Sequence, residues 1–249
     1  MICIVLAAGY ATRMYPLTES FPKSLLEVQG KSILNWLLED IDRIEDVERI
    51  IIVSNHKFLQ HFTEWKTHQR LTKPVDLLDD GSMTNETRVG AVKDILVAVD
   101  SLGKAAQEAL VIAGDNLLEF SFQGFVDFYK VRKRSCIMCY TEPDVALQRR
   151  TGIITINSEH LVTSFEEKPA IPKSDLAVPP FYIYTDADIA RIPTAIADGC
   201  STDAPGSSAA WMSRYSEVYA WLMPGKRYDI GSIDGYKEVQ TLFRPFIYR

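Results

Sequence analysis

The chain has 249 residues, 47% of them hydrophobic, and 27 Lys and Arg stand against 33 Asp and Glu for a formal net charge of −6. That length is enough for one large α/β domain with an ample core. The acidic balance argues against a protein that coats nucleic acid and leaves room for small anionic ligands held in a local basic pocket.

Met1 to Ala7 is an apolar run that reads as a buried strand, and it ends in Ala7-Ala8-Gly9, small residues placed where the chain must turn. A turn of that kind exposes backbone N–H groups, and with Arg13 and Lys23 close behind it makes a donor-rich cradle for nucleotide phosphates. Ser32 to Ile44 reads as a helix capped by Ser32, Arg49 to Ser54 as a strand, and 57–70 as a helix with Phe58, Phe62 and Trp65 inward. A strand from Pro74 to Leu78 ends at Asp79-Asp80-Gly81, and a polar loop to Arg88 precedes a helix to about Ser101. Ala109 to Ala113 is a further buried strand closed by Gly114-Asp115-Asn116, followed by a helix over 121–134 and a strand over 136–141.

The second half changes character. Residues 152–156 and 161–166 alternate like antiparallel strands, and 178–184 reads as one strand whose Pro179-Pro180 predicts an edge or a bulge. Helices are expected over 186–197, shortened by Pro193, and over 204–214, capped by Asp203. A strand over 218–223, the segment Tyr228-Asp-Ile-Gly231 and a helix over 233–243 complete the chain. This order predicts a three-layer, Rossmann-like α/β fold with a central mixed, mostly parallel sheet and a small antiparallel insertion. We expect one domain over 1–249, with a nucleotide half at about 1–120 and an acceptor half at about 121–249. In such sheets ligands gather beyond the carboxyl ends of strands, which singles out Gly9, Asp79, Asp80 and Asp115.

Two common phosphate loops are absent. Gly30-Lys31-Ser32 lacks the opening glycine of a P-loop, since Leu25 stands there, and no second glycine follows Gly9 at dinucleotide-loop spacing. Cys136 and Cys139 form a CxxC inside a β-prone run, where residues three apart face opposite sides, so a structural role is expected. The four cysteines, the absence of a basic stretch before an apolar one at the N-terminus and the lack of any spanning apolar run predict a cytoplasmic protein with no membrane partner. A homo-oligomer stays open.

Leu6-Ala-Ala-Gly9, Thr12-Arg13-Met14, Pro16-Leu-Thr18 and Pro22-Lys23-Ser-Leu-Leu26 resemble the signature of the sugar-1-phosphate nucleotidylyltransferases. Further matches follow in that family's order: Gly114-Asp115-Asn116, Phe165-Glu-Glu-Lys168-Pro169 and Tyr228-Asp-Ile-Gly-Ser232. The resemblance runs the length of the chain and is nearest to glucose-1-phosphate thymidylyltransferase-like proteins. It implies transfer of a nucleotidyl group from an NTP to a sugar 1-phosphate with release of pyrophosphate. It further implies that Arg13 and Lys23 act catalytically on phosphates, that Asp115 and Asp229 hold one Mg²⁺, and that Leu6, Ala8, Gly9 and Thr12 lie against the nucleotide. Glu167 would accept from sugar hydroxyls, Lys168 would grip the sugar phosphate, and Gly152 would let the sugar approach. Chemistry of this kind rests on neutralising and aligning two anions rather than on a general base, in keeping with His56, His61, His68 and His160 reading as surface residues.

The chain departs from the family pattern at three places, one of them Pro179-Pro180, which stands where that family has residues that help enclose the sugar. Gly9-Tyr10-Ala11-Thr12 stands where Gly-x-Gly-Thr is common, which reshapes the phosphate turn. The base-reading region 79–90 lacks the usual glutamine-proline pair; Gly90 matches the family's helix-entry glycine beside the base, Arg88 or Asn85 is the candidate replacement for the lost contacts, and the nucleobase is left open. Three rival functions are a cytidylyltransferase for phosphocholine or another non-sugar phosphate, a glycosyltransferase using Asp186-Ala-Asp188, and a non-catalytic nucleotide-sugar sensor. The first requires an aromatic cage, for which Tyr182, Tyr184, Trp211, Tyr215 and Trp221 are the available rings.

Overall fold

The computed structural model describes residues 1–103 and 107–247. β1 (Ile2–Leu6) is the expected buried strand. Two 3-10 turns, Thr12–Met14 and Lys23–Leu25, carry Arg13 and Lys23, and a short hairpin of β2 (Glu27–Val28) and β3 (Lys31–Ser32) leads into α1 (Ile33–Arg43). Ser32 caps that helix as the sequence predicts: its hydroxyl accepts from the Asn35 N–H at 3.1 Å, an interaction worth ~1 kcal/mol.

β4 (Arg49–Ser54), α2 (Leu59–Thr67), β5 (Val75–Asp79) and α3 (Ala91–Asp100) follow. α2 is shorter than the expected 57–70, because the Asn55 side chain accepts from the Phe58 N–H and turns 56–58 into a separate 3-10 segment. Then come β6 (Ala109–Ala113), β7 (Asn116–Leu118), α4 (Gln123–Arg132), β8 (Cys136–Thr141), α5 (Val145–Gln148), β9 (Gly152–Ile156) and β10 (Val162–Glu167). β11 (Leu176–Val178), β12 (Phe181–Tyr184), α6 (Asp186–Ile189), α7 (Ile192–Ala197), α8 (Gly206–Met212), β13 (Tyr219–Leu222), β14 (Arg227–Asp229) and α9 (Ile233–Leu242) close the chain. The fold is three-layer α/β with mixed strand pairing and two small antiparallel sheets, as expected.

Two compact units form, and each is discontinuous. Unit 1 gathers Met1–Val89, Ala113–Gln123 and the chain from Pro224 onward; unit 2 gathers Gly90–Ile112 and Gly124–Met223. The contiguous halves expected at 1–120 and 121–249 differ from this division for a physical reason. β14 pairs antiparallel with β7, which ties the C-terminal segment to unit 1 and sets Asp229 opposite Asn116. Unit 1 also holds the parallel run β1-β4-β5, whose apolar residues are fully buried at Ile4, Ile51 and Ile52. Met14, Val28, Ile33, Leu117, Ile230, Val239 and Phe243 form a core beneath the β7-β14 pair.

Unit 2 orders its strands β10-β9-β11-β8-β12-β6, all antiparallel neighbours, with β13 parallel to β8. Here the expected single strand over 178–184 is corrected. Pro179-Pro180 splits it into β11 and β12, and both pieces still run along β8. Lacking N–H donors, the prolines release the ladder, so the far side switches partner from β9 to β6. β12 is therefore an interior strand rather than an edge.

Two helix expectations also change. Residues 186–197 form α6 and α7 because Pro193 fits only the first turn of a new helix. α8 starts at Gly206 behind Pro205 with no side-chain cap; the backbone carbonyls of Thr202 and Asp203 instead accept from Val92 and Ala91 at the start of α3. Cys136 and Cys139 lie buried in β8, where burial pushes both thiols up to about 12. Among the described residues no helix is long and apolar enough to cross a membrane.

Candidate active site

The first loop of unit 1 is anchored from below. The Ala7 N–H donates to Val53 O at 2.9 Å, and the buried Asn55 amide donates to Ala8 O at 2.9 Å. Leu6 O accepts from the Gly114 N–H at 3.0 Å. Gly9 is exposed, with no atom within 4 Å of where a Cβ would stand. Among the described residues no protein acceptor takes the N–H groups of Gly9, Tyr10, Ala11 or Thr12. These donors are thus left unused by the protein's own acceptors among the described residues. Ala11 holds the bend in the left-handed region at φ 49°, and the Thr18 hydroxyl fixes it by donating to Ala11 O at 2.8 Å. Tyr10 turns inward, its hydroxyl 3.2 Å from Ser82 Oγ. The Tyr10-Ala11 departure therefore keeps the bend and buries the larger side chain under it.

Three charged groups expected at the site, Lys23, Asp115 and Asp229, meet in unit 1, and Arg13 lies beside Gly231. Lys23 Nζ lies 2.7 Å from Asp115 Oδ2 and 3.9 Å from Asp229 Oδ1. A terminal nitrogen of Arg13 stands 3.9 Å from where a Cβ on Gly231 would project, two residues from Asp229. Gly114 makes the approach feasible, since a side chain there would press Val5 and Ser24 at 3.0 and 3.2 Å. Burial pushes the Asp115 carboxyl upward, but the Lys23 ammonium and, beyond it, the Arg227 guanidinium outweigh that and hold it below the usual carboxylate range. Asp229 is exposed. Two hard carboxylates side by side, with a cation already between them, match the donor set of a Mg²⁺ that fills its remaining positions with phosphate and water. Among the described residues no group of three or more His, Cys, Asp and Glu gathers as a fuller protein cage.

Arg227 is the member that the sequence did not single out. Its guanidinium donates to Asn116 Oδ1 at 2.5 Å and stands 3.9 Å from Asp229 Oδ2. The signal was present in Arg227-Tyr228-Asp229, where residues two apart share one strand face, but only the pairing with β7 shows what that face meets.

The base-reading candidates divide between the units. Asn85 lies in a 3-10 turn stapled by a reciprocal Thr84–Thr87 cap, and Arg88 donates to Asn85 O at 2.7 Å, both in unit 1. Gly90 belongs to unit 2 and starts α3 at φ 94°, where a Cβ would sit 2.4 Å from Thr202 O. A glycine is required there by that carbonyl, independently of any ligand.

Unit 2 builds a second cluster around Glu167 at the end of β10. A Cβ on Gly206 would fall 2.3 Å from Glu167 Oε2, and one on Gly152 would fall 3.0 Å from the same oxygen and 2.6 Å from the Phe165 ring. Gly152 thus makes room for Glu167 and Phe165 themselves, a requirement separate from the sugar approach expected of it. Burial raises the Glu167 pKa above the ordinary 4.5, with Lys168 pulling weakly the other way. Lys168 is exposed and held at φ 51° by its N–H donating to Thr151 O at 3.0 Å, a backbone state that costs about 1 kcal/mol or more. A cavity of about 420 Å³ opens beside Glu167, lined also by Trp211, Asp198, Ser201 and Arg214.

Several of the rings and one of the two carboxylates of the rival functions are otherwise engaged, although Trp211 lines the cavity beside Glu167. Tyr182 and Tyr184 stack at 5.7 Å within the core, and Trp221 packs on Phe125. Trp211 pairs with Tyr215 at 4.4 Å and donates its indole N–H to Asp198. Asp188 is buried and accepts from the Ser135 and Ser216 hydroxyls. It is not presented for a metal.

The sequence pattern of the family described as Nucleotidyl transferase matches residues 2–244. The chain belongs to the nucleotidyl transferase family. Against curated proteins, this nucleotidyl transferase is 27% identical over 197 residues to the UTP–glucose-1-phosphate uridylyltransferase AglF of Haloferax volcanii, covering 75% of this chain and 73% of that one. It is 28% identical over 178 residues to the bifunctional protein GlmU of Methanocaldococcus jannaschii, covering 71% of this chain but only 38% of that protein. Among solved structures, a UDP-glucose pyrophosphorylase complexed with UDP-glucose superposes with a TM-score of 0.81 at 20% identity, covering 96% of each chain. That likeness confirms the fold.

Proposed function

We propose that this nucleotidyl transferase moves a nucleotidyl group from an NTP to a sugar 1-phosphate, giving an NDP-sugar and pyrophosphate. One observation supports the reading: Lys23, Asp115 and Asp229 meet, with Arg13 beside the neighbouring Gly231, in the unit whose first loop leaves the N–H groups of residues 9–12 without a protein acceptor among the described residues. A phosphate oxygen of the sugar phosphate attacks the α-phosphorus, the bond from that phosphorus to the bridging oxygen breaks, and pyrophosphate leaves. The attacking oxygen is already an anion, so no proton need be removed. The residues' task is to bring two anions together and disperse the charge that builds up.

The loop N–H groups and Arg13 hold the triphosphate, and Lys23 neutralises the α-phosphate. Asp115 and Asp229 would hold a Mg²⁺, which when bound polarises the α-phosphate and offsets charge on the leaving pyrophosphate. In unit 2, Glu167 accepts from sugar hydroxyls and Lys168 pairs with the sugar phosphate. Thr12, Leu6 and Ala8 line the nucleotide side, and Asn85 and Arg88 contact the base. The AglF likeness makes UTP and glucose 1-phosphate the first pair to try, with the other bases and sugars beside it. The four free cysteines, three of them buried, suit a cytoplasmic setting.

The test incubates the protein and Mg²⁺ with each NTP against a panel of sugar 1-phosphates and measures pyrophosphate. Release with at least one pair is expected. Release with phosphocholine but with no sugar phosphate transfers the case to the cytidylyltransferase reading, and no release with any pair ends the enzymatic one.

A further inference from the structure

Asp115 is gripped at both oxygens. Lys23 Nζ reaches Oδ2 at 2.7 Å, and the Asn116 side-chain amide donates to Oδ1 at 2.8 Å. An amide can donate only from its nitrogen, so its orientation decides whether this second contact attracts or repels. Arg227 settles that orientation: a guanidinium has no acceptor, and its donation to Asn116 Oδ1 at 2.5 Å forces the NH₂ group toward Asp115. Asn116 is 1% exposed and Arg227 sits opposite Leu118 on β14, two residues from Asp229, so the relay is built into the β7-β14 ladder.

We propose that Arg227, acting through Asn116, is a positioning residue that sets the direction of the Asp115 carboxylate toward its divalent cation while standing beside Asp229. The inference rests on the nucleotidyl transfer reading above. On this reading Arg227 acts through Asn116 and not on either substrate. Its effect travels by the same logic as the outer partners that orient metal ligands elsewhere, whose loss costs about 10–100-fold in metal affinity or activity.

The experiment compares wild type, Arg227→Met, Arg227→Lys, Asn116→Leu and the Met/Leu double variant, each checked for an unchanged circular dichroism spectrum. Mn²⁺ binding to the protein is measured from the free-ion paramagnetic resonance signal, and kcat, KM and half-saturating Mg²⁺ from pyrophosphate release. Arg227→Met should weaken Mn²⁺ binding and lower kcat by about 10-fold or more with KM for the sugar 1-phosphate unchanged, and Arg227→Lys should recover part of the loss. Adding Asn116→Leu to Arg227→Met should change little, since both break one relay. If Arg227→Met fails to fold, Asn116→Leu and Arg227→Lys carry the same comparison. Variants within twofold of wild type in Mn²⁺ affinity, additive losses in the double variant, or a loss confined to the sugar phosphate KM would each overturn the relay. A wild type that binds Mn²⁺ yet releases no pyrophosphate with any pair would instead count against the functional reading, leaving the metal data to judge the relay.

Discussion

Asp115 in unit 1 and Glu167 in unit 2 are both partly buried carboxylates at strand ends, and their surroundings treat them oppositely. Asp115 receives an ammonium, an amide and a nearby guanidinium, and its pKa falls. The Glu167 side chain is wedged between two glycines, its carboxylate takes no hydrogen bond from the protein among the described residues, and its pKa rises. The contrast fits what each would bind. Phosphates and a metal call for charges fixed in advance, whereas hydroxyl groups are recognised by an acceptor left unsatisfied until they arrive, which is where a polar site gains discrimination.

The largest losses are expected at Lys23 and Arg13. Lys23→Met and Arg13→Ala should each lower kcat by about 10²–10³-fold, the cost of removing one charge-stabilising group, with far-ultraviolet spectra unchanged; turnover within a few-fold of wild type would mean that the cluster is structural. Next comes Gly206→Ala, whose Cβ would collide with Glu167 Oε2. Losing one charge-assisted hydrogen bond to the sugar raises its KM about 10-fold or more, and KM for the NTP should stay put.

The two carboxylates also predict opposite pH linkage. Asp115, with its lowered folded pKa, contributes stability that is present above its unfolded value near 3.8 and is lost as pH falls through the folded value. Glu167, with its raised folded pKa, favours the fold most below its unfolded value near 4.5, and that contribution is lost as pH rises through the higher folded value. Glu167→Gln should therefore melt at a higher temperature than wild type at neutral pH, and the gap should close on acidification. In kinetics, wild-type KM for the sugar 1-phosphate should climb as pH falls through the raised Glu167 pKa, a step that Glu167→Gln removes. The smallest effect is at Ala11, where replacement by glycine relieves the left-handed backbone and should stabilise by about 1 kcal/mol or less, read from the melting temperature.

Much of unit 1 was legible because its signals are local. The Ser32 cap, the bounds of β4 and the sequence Gly114-Asp115-Asn116 are settled within a few residues of themselves, and Lys23, Asp115 and Asp229 of the expected charged set lie together. What escaped depended on pairing across long sequence distances. Arg227 joins the cluster only through the β7-β14 ladder, Gly206 matters only because Glu167 lies against it, and Pro179-Pro180 marks a change of sheet partner that no window of local sequence displays. The discontinuous units have the same origin, since the C-terminal strand returns to the first unit.

The most direct measurement follows the phosphorus itself. With an NTP labelled at the α-phosphate and an accepted sugar 1-phosphate, the label should leave in an NDP-sugar, one per pyrophosphate released, and Asp115→Asn should abolish both together. Label appearing in a free nucleoside monophosphate, or undiminished transfer by Asp115→Asn, would contradict this reading.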